Sequence, residues 1–175
     1  MSRAATVAVV LAVLLSGCGY SLEGRGITTD PSIKRIGVPL FKDATGKYDL
    51  DALVTEAVVS ELLRRGRFTV VKEATGVDAI VDGEILAFDV IPINFTDSGE
   101  LTEATRYAIT LSADVTYRKV GQREPIWSNE RFSQRDEYDL DDNASQNFFD
   151  REQQSMERLA EAFARSLVAA MLEAF

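Results

Sequence analysis

Histidine is missing from the 175-residue chain, and cysteine occurs once, at Cys18. The first absence removes a Ser-His-Asp triad, a Cys-His pair and histidine-ligated zinc. The second removes any intramolecular disulfide and leaves the lone thiol either reactive or modified. Basic charge is in deficit: 19 Lys and Arg stand against 28 Asp and Glu, a formal net charge of −9. Such a chain is repelled on average by nucleic acid and by anionic headgroups, so no nucleic-acid partner is expected and any phosphate contact requires a local basic patch. Long apolar runs are lacking too. The one present, residues 4–15, falls short of the roughly 20 residues that cross a bilayer as a helix. Phosphate loops and nucleophile elbows are not found either. Gly19, Gly24 and Gly26 follow no strand, and Ser21, Ser60 and Ser112 lie in no strand-to-helix elbow. Carboxylates are plentiful, but none sits in apolar sequence that singles out a raised pKa. No catalytic residue, cofactor or enzymatic activity is therefore expected.

What the N-terminus does contain is specific. Arg3 is the only charge before Glu23, and residues 4–15 are an unbroken stretch of Ala, Thr, Val and Leu. That is the length and flank of a secretion-signal h-region. The following Leu15-Ser16-Gly17-Cys18 resembles the lipobox at which bacterial lipoprotein precursors are acylated and cut. The expectation is a signal peptide over residues 1–17, a lipid-anchored tether over 18–32 and a single domain over 33–175. Stable anchoring takes two lipid signals; a diacylglyceryl group on the Cys18 sulfur and an N-linked acyl chain such as palmitate would supply them. Gly19, in place of the Asp that resembles an inner-membrane retention signal, points to the outer membrane on its periplasmic side. Losing the signal leaves 158 residues at net charge −10, enough for one domain with a real core.

Along that domain, residues 33–41 read as a strand ending near a sheet edge at Pro39. Leu50, Leu53, Val54, Ala57, Val58 and Leu62 recur at helical spacing, with Asp49 as N-cap and Gly66 as C-terminal stop. Residues 67–71 form a second strand, and a strand-helix-strand unit this short favours a parallel pair. Residues 79–95 are strand-rich with interruptions at Gly83 and Pro92, and a loop is expected over 96–104. The clearest strand alternates Tyr107, Ile109, Leu111, Ala113, Val115 and Tyr117 with polar residues. A turn at Gly121 leads to an antiparallel return over 125–135. Met156, Leu159, Phe163, Leu167 and Met171 stripe a final helix over about 150–175, with Asp150 and Gln153 outlining a capping box. The sum is an α+β fold: a mixed four- or five-stranded sheet with two helices packed on one face.

Two constellations invite chemistry. Residues 139–150 place oxygens at the ligand positions of a calcium-binding EF-hand loop, but Ala144 stands where a sharp turn needs Gly, and Asp150 where a bidentate Glu belongs. The reading favoured there is a solvated, helix-capping acidic loop without metal. Basic residues gather twice, as Arg64, Arg65, Arg67 and Lys72, and as Arg118, Lys119 and Arg123 around Gly121. Cations are expected at a helix C-terminus, so the second group is the better candidate for a phosphorylated glycolipid, to which Arg offers a planar fork.

The chain resembles the lipopolysaccharide-assembly lipoprotein family (LptE). The likeness runs from Cys18-Gly19-Tyr20-Ser21-Leu22 and Gly24-Arg25-Gly26 through Ile33-Lys34-Arg35-Ile36-Gly37-Val38-Pro39 and Glu61-Leu62-Leu63-Arg64-Arg65-Gly66-Arg67-Phe68. It resumes at Ile126-Trp127, at Phe148-Phe149-Asp150-Arg151-Glu152 and at Ala162-Phe163-Ala164-Arg165. The resemblance implies two helices on a mixed sheet. It also implies a role as plug and assembly partner inside the lipopolysaccharide-transport β-barrel (LptD-type) of the outer membrane, with lipopolysaccharide as ligand. Arg118, Lys119 and Arg123 are the residues offered for that ligand. A second likeness, in Ile36-Gly37-Val38-Pro39-Leu40-Phe41 and Gly66-Arg67-Phe68-Thr69-Val70-Val71, is to lipoproteins that activate cell-wall synthases or build secretion pores.

Overall fold

Eight elements make up the computed structural model, which describes residues 30–97, 102–139 and 144–173. In chain order they are β1 (Arg35–Gly37), β2 (Lys42–Asp43), α1 (Leu50–Arg64), β3 (Thr69–Val71), β4 (Ala79–Asp97), β5 (Thr102–Lys119), β6 (Trp127–Asp139) and α2 (Ala144–Glu173). The strands form one sheet in the order β3-β1-β4-β5-β6, with β2 also beside β4. β1 runs parallel to both β3 and β4, whereas β5 is antiparallel to both of its neighbours, β4 and β6. The α+β class with a mixed sheet holds, at six strands instead of four or five.

The additional strand arises at Pro39. The Val38 N–H still donates to the Val71 carbonyl at 2.8 Å, but Pro39 has no N–H to give. The Phe41 N–H then leaves the sheet for Thr55 Oγ1 on α1, at 3.0 Å. Pairing resumes only where Lys42 lies beside Glu84. The strand expected over 33–41 is therefore β1 alone, and β2 follows it after a step toward the helix.

β4 corrects the reading of its own sequence. Neither Gly83 nor Pro92 ends the strand, which runs 19 residues. Gly83 is required by packing, because a Cβ there would overlap the ring of Phe41, which is fully buried. Pro92 is tolerated because the parallel neighbours of β4 end at Ile85, so the rest of the strand has β5 on one side only. Register shifts at Ile85/Ala87 and around Pro92/Asn94 absorb the irregularity. β4 continues to Asp97 and β5 starts at Thr102, so residues 96–97 and 102–104 of the expected loop are strand.

β5 behaves as its alternation predicts: Ile109, Leu111, Ala113, Val115 and Tyr117 are all buried. β6 pairs along it from Tyr117↔Trp127 to Arg106↔Asp139. α1 ends as expected, with Gly66 at φ +68° donating its N–H to the Leu63 carbonyl at 2.9 Å. Its start differs, since Asp49 adopts a left-handed φ of 56° and makes no side-chain cap.

α2 begins six positions before Asp150, so Asp150 and Gln153 are interior helix positions and no capping box exists there. The same early start puts residues 144–150, the second half of the EF-hand-like segment, on helical backbone. The apolar stripe is as expected: Met156, Leu159, Phe163, Leu167 and Met171 are buried. Phe163 meets Phe132 edge-on at 5.3 Å between ring centroids. Both helices share one core with the inward side chains of β1, β4 and β5. Among the described residues no helix lies on the opposite face of the sheet.

Candidate functional site

The uncovered sheet face and its two ends are the available surface. β1, β3 and β4 begin at one end, and α1 and β5 finish there, so the basic residues of several distant segments collect at a single pole. Asp78 organises its centre. Its carboxylate accepts the backbone N–H of Lys34 at 2.9 Å and of Arg35 at 2.8 Å. Those two bonds hold its pKa below the usual carboxylate value. Beside it Lys119 Nζ donates to Asp30 Oδ2 at 2.5 Å and to Ser32 Oγ at 2.7 Å. The Lys119 bond, with help from Ser32, holds the Asp30 carboxyl well below its ordinary range. The segment leading into β1 is thereby latched to the end of β5.

Of the three cations offered for a phosphorylated glycolipid, two are already matched. Arg118 pairs with Asp82 across the strands at 2.9 Å, and Lys119 with Asp30. Arg123 lies on the turn after β5, exposed and without a salt bridge among the described residues. Arg64 and Arg65, the helix-end cations, both grip Glu61, which is 5 % exposed. Lys34, Arg35 and Arg67 are exposed at the same pole and carry no salt bridge in the described structure. Sequence reading passed over the first two, and it missed the partners Asp30 and Asp82. Lys119 and Asp30 stand 89 positions apart, and nothing local in either segment signals the pairing. Cys18 lies outside the described residues.

Beyond this pole the open face is polar. Thr110, Ser112, Asp114 and Thr116 project from β5, and Glu84 stands directly opposite Asp114. A hollow lined by Leu40, Lys42, Asp82, Glu84 and Asp114 lies there. It holds no grouping of three metal-ligating side chains among the described residues. At the far end the character changes again. Ile91, Ile93 and Phe95 on β4 expose 56 %, 37 % and 54 % of their surface. Their period of two was visible in the sequence, and exposed apolar side chains placed together on one strand mark an interaction surface. Arg106 and Asp139 close this end of β5 and β6 at 2.6 Å. That ion pair raises the guanidinium pKa and lowers the carboxyl. Among the described residues no helix is long and apolar enough to cross a membrane. The described residues offer surfaces for binding, with free cations at one end and free apolar side chains at the other.

A family model described as Lipopolysaccharide-assembly, LptE, matches residues 33–171. No curated protein matches the chain. Among solved structures, protein XCC0632 from Xanthomonas campestris superimposes with TM-score 0.55 at 11% identity, covering 81% of this chain and 85% of that one. The hypothetical protein CT253 from Chlamydia trachomatis gives 0.52 at 12%, covering 79% and 95%. A PelC dodecamer from Paraburkholderia phytofirmans gives 0.52 at 8%, covering 83% and 95%. At these identities the likeness establishes the fold alone.

Proposed function

The chain belongs to the lipopolysaccharide-assembly family (LptE), and from that premise we propose that it is an outer-membrane lipoprotein acting as plug and assembly partner of the lipopolysaccharide-transport β-barrel. In this reading residues 1–17 are a signal peptide, and acylated Cys18 anchors the protein on the periplasmic side. Residues 18–32 are the tether to a single domain. The role is one of binding and assembly, without catalysis. The observation that carries it is the family match across residues 33–171, almost the whole of the proposed domain. The open sheet face supports it physically, being a broad surface with both strand ends accessible and apolar side chains left unburied at one of them.

Lipopolysaccharide is the proposed ligand, with phosphate contacts from Arg118, Lys119 and Arg123. Because the first two are already paired with Asp82 and Asp30, Arg123 bears most of the proposed affinity. Arg123→Asp is expected to weaken lipopolysaccharide binding to the purified protein by about tenfold, in line with the loss of one good charged hydrogen bond. Unchanged binding would remove the turn from the site.

The partnership is tested by affinity purification from detergent-solubilised membranes, which is expected to recover a large β-barrel protein at one copy per copy of this chain. Recovery of a peptidoglycan synthase, or of a ring of identical chains, would replace the plug reading with one of an interaction or pore-building module. Depletion is expected to leave lipopolysaccharide in the inner membrane; unchanged surface lipopolysaccharide would count against the assembly role.

A further inference from the structure

We propose that the unpaired cations of the basic pole, Lys34, Arg35 and Arg67, dock the folded domain onto anionic glycerophospholipid headgroups of the leaflet that holds Cys18. The proposal rests on the reading of Cys18 as lipid anchor. It adds that the domain itself, and not only the acyl chains, touches the membrane.

The cations at this pole divide into two groups. Arg64, Arg65, Arg118 and Lys119 are paired within the fold, the first two sharing Glu61 and the others meeting Asp82 and Asp30. Lys34, Arg35 and Arg67 are exposed and have no salt bridge in the described structure. The carboxylates that could have matched them are used elsewhere: Asp78 faces two backbone amides and Asp30 faces Lys119. Lys34 and Arg67 line one cleft together with Phe68 and with Asp30, whose charge is met by Lys119. Arg35 sits beside it, opposite Thr69 in the register of β1 and β3. A chain of net charge −9 thus concentrates free positive charge where its own acids are spent.

The direction of the tether selects the occupant. The latch between Asp30 and Lys119 fixes where the N-terminal segment meets the domain, and that point is this pole. Cys18 and Asp30 are 12 positions apart, a reach of at most about 40 Å even when fully extended. The anchor therefore brings the cationic end toward the lipid surface and leaves the apolar end of β4 pointing away. Basic residues attract an anionic leaflet only within about a Debye length of it, roughly 8 Å at physiological ionic strength. A tether of that reach permits such an approach, and the free cations are what would hold the pole at the surface.

The test uses the acylated mature protein, purified from membranes and reconstituted into lipopolysaccharide-free vesicles. One set is pure phosphatidylcholine, and the other contains about one-third phosphatidylglycerol. Flotation reports the anchor, and hydrogen exchange of the amides in residues 33–35 and 66–68 reports docking. The protein is expected to float with both sets. Exchange in those segments is expected to slow at least about threefold on the anionic vesicles only, with the effect lost in about 0.5 M salt. A triple Lys34→Gln, Arg35→Gln, Arg67→Gln variant with an unchanged melting temperature is expected to float but show no slowing; if it fails to fold, the salt dependence of the unaltered protein decides. Equal exchange on the two vesicle sets, or slowing that persists in high salt, would overturn the docking surface while leaving the anchor intact. Flotation with anionic vesicles alone would overturn the anchor and keep the docking surface. Flotation with neither would overturn both.

Discussion

Gly83 and Tyr117 show how single positions in this fold are set by what lies against them. The ring of Phe41 occupies the space a Cβ at Gly83 would need, so Gly83→Ala must displace a fully buried aromatic. Overpacking of this kind costs roughly 1–3 kcal/mol, and the expected loss is read as a lowered urea midpoint at unchanged slope. Tyr117 is wholly buried, its hydroxyl has no hydrogen-bond partner among the described residues, and its pKa is pushed up to about 12 by burial, with the charge of Asp30 adding to the effect. The unfolded chain ionises this phenol near pH 10 while the folded one still holds the proton. The linked stability is thus fully present below pH 10 and is lost as pH rises from about 10 to 12. The shift of about two units corresponds to about 2 to 3 kcal/mol at the upper end. Tyr138, also raised to about 12 by burial, adds in the same direction. Tyr117→Phe is expected to flatten this alkaline loss while leaving neutral-pH stability equal or higher, since no hydrogen bond is given up. A steep loss persisting in the variant would assign the effect to other groups.

At the scale of elements, periodicity was legible wherever one side of a segment is buried along its whole length. From Ile109 to Tyr117 β5 alternates because that stretch sends every second side chain into the core under the helices, and α2 carries an apolar stripe from Met156 to Met171 for the same reason. Phe163 lies at the middle of that stripe against Phe132. Phe163→Ala is expected to cost about 3–5 kcal/mol and to uncouple α2 from β6, measurable as faster hydrogen exchange in both elements. Loss confined to α2 would show that the ring packs only within the helix layer. Legibility failed where the cause of an element lies far away in sequence. β4 looked broken because Gly83 and Pro92 are weak strand formers in isolation. The reasons they are tolerated, a ring from residue 41 and a missing neighbour beyond Ile85, are tertiary. The beginning of α2 was misplaced because Asp150 and Gln153 mimic a cap, although the helix already runs from Ala144. The candidate site suffered most. The cations around Gly121 were visible as a cluster, but which of them are free depends on Asp30 and Asp82, whose segments meet β5 only in the folded chain.

At the scale of the whole described domain, charge and apolar surface are polarised along β4, which at roughly 3.3 Å per residue over its 19 residues extends about 60 Å. Matched and unmatched cations mark the end where the tether joins, acids face one another at mid-sheet, and Ile91, Ile93 and Phe95 mark the far end. This gradient makes the two ends separable by mutation. The far end belongs to the proposed barrel contact, since its apolar side chains help no core and cost free energy while solvated. Ile91→Ser combined with Phe95→Ser removes most of that exposed apolar area without touching a buried side chain. Melting temperature is therefore expected to stay within about 2 °C, surface substitutions of this kind changing stability by roughly 0.5 kcal/mol or less each. Recovery of the barrel protein from solubilised membranes is expected to fall at least about tenfold, because two apolar anchors at an interface are each worth more than 1 kcal/mol. Flotation with lipid vesicles is expected to be unaffected, the tether and the basic pole being at the opposite end. Undiminished barrel recovery by a folded double variant would move the contact from the far end to the polar middle of the open face, where Glu84 and Asp114 would be the next residues to reverse.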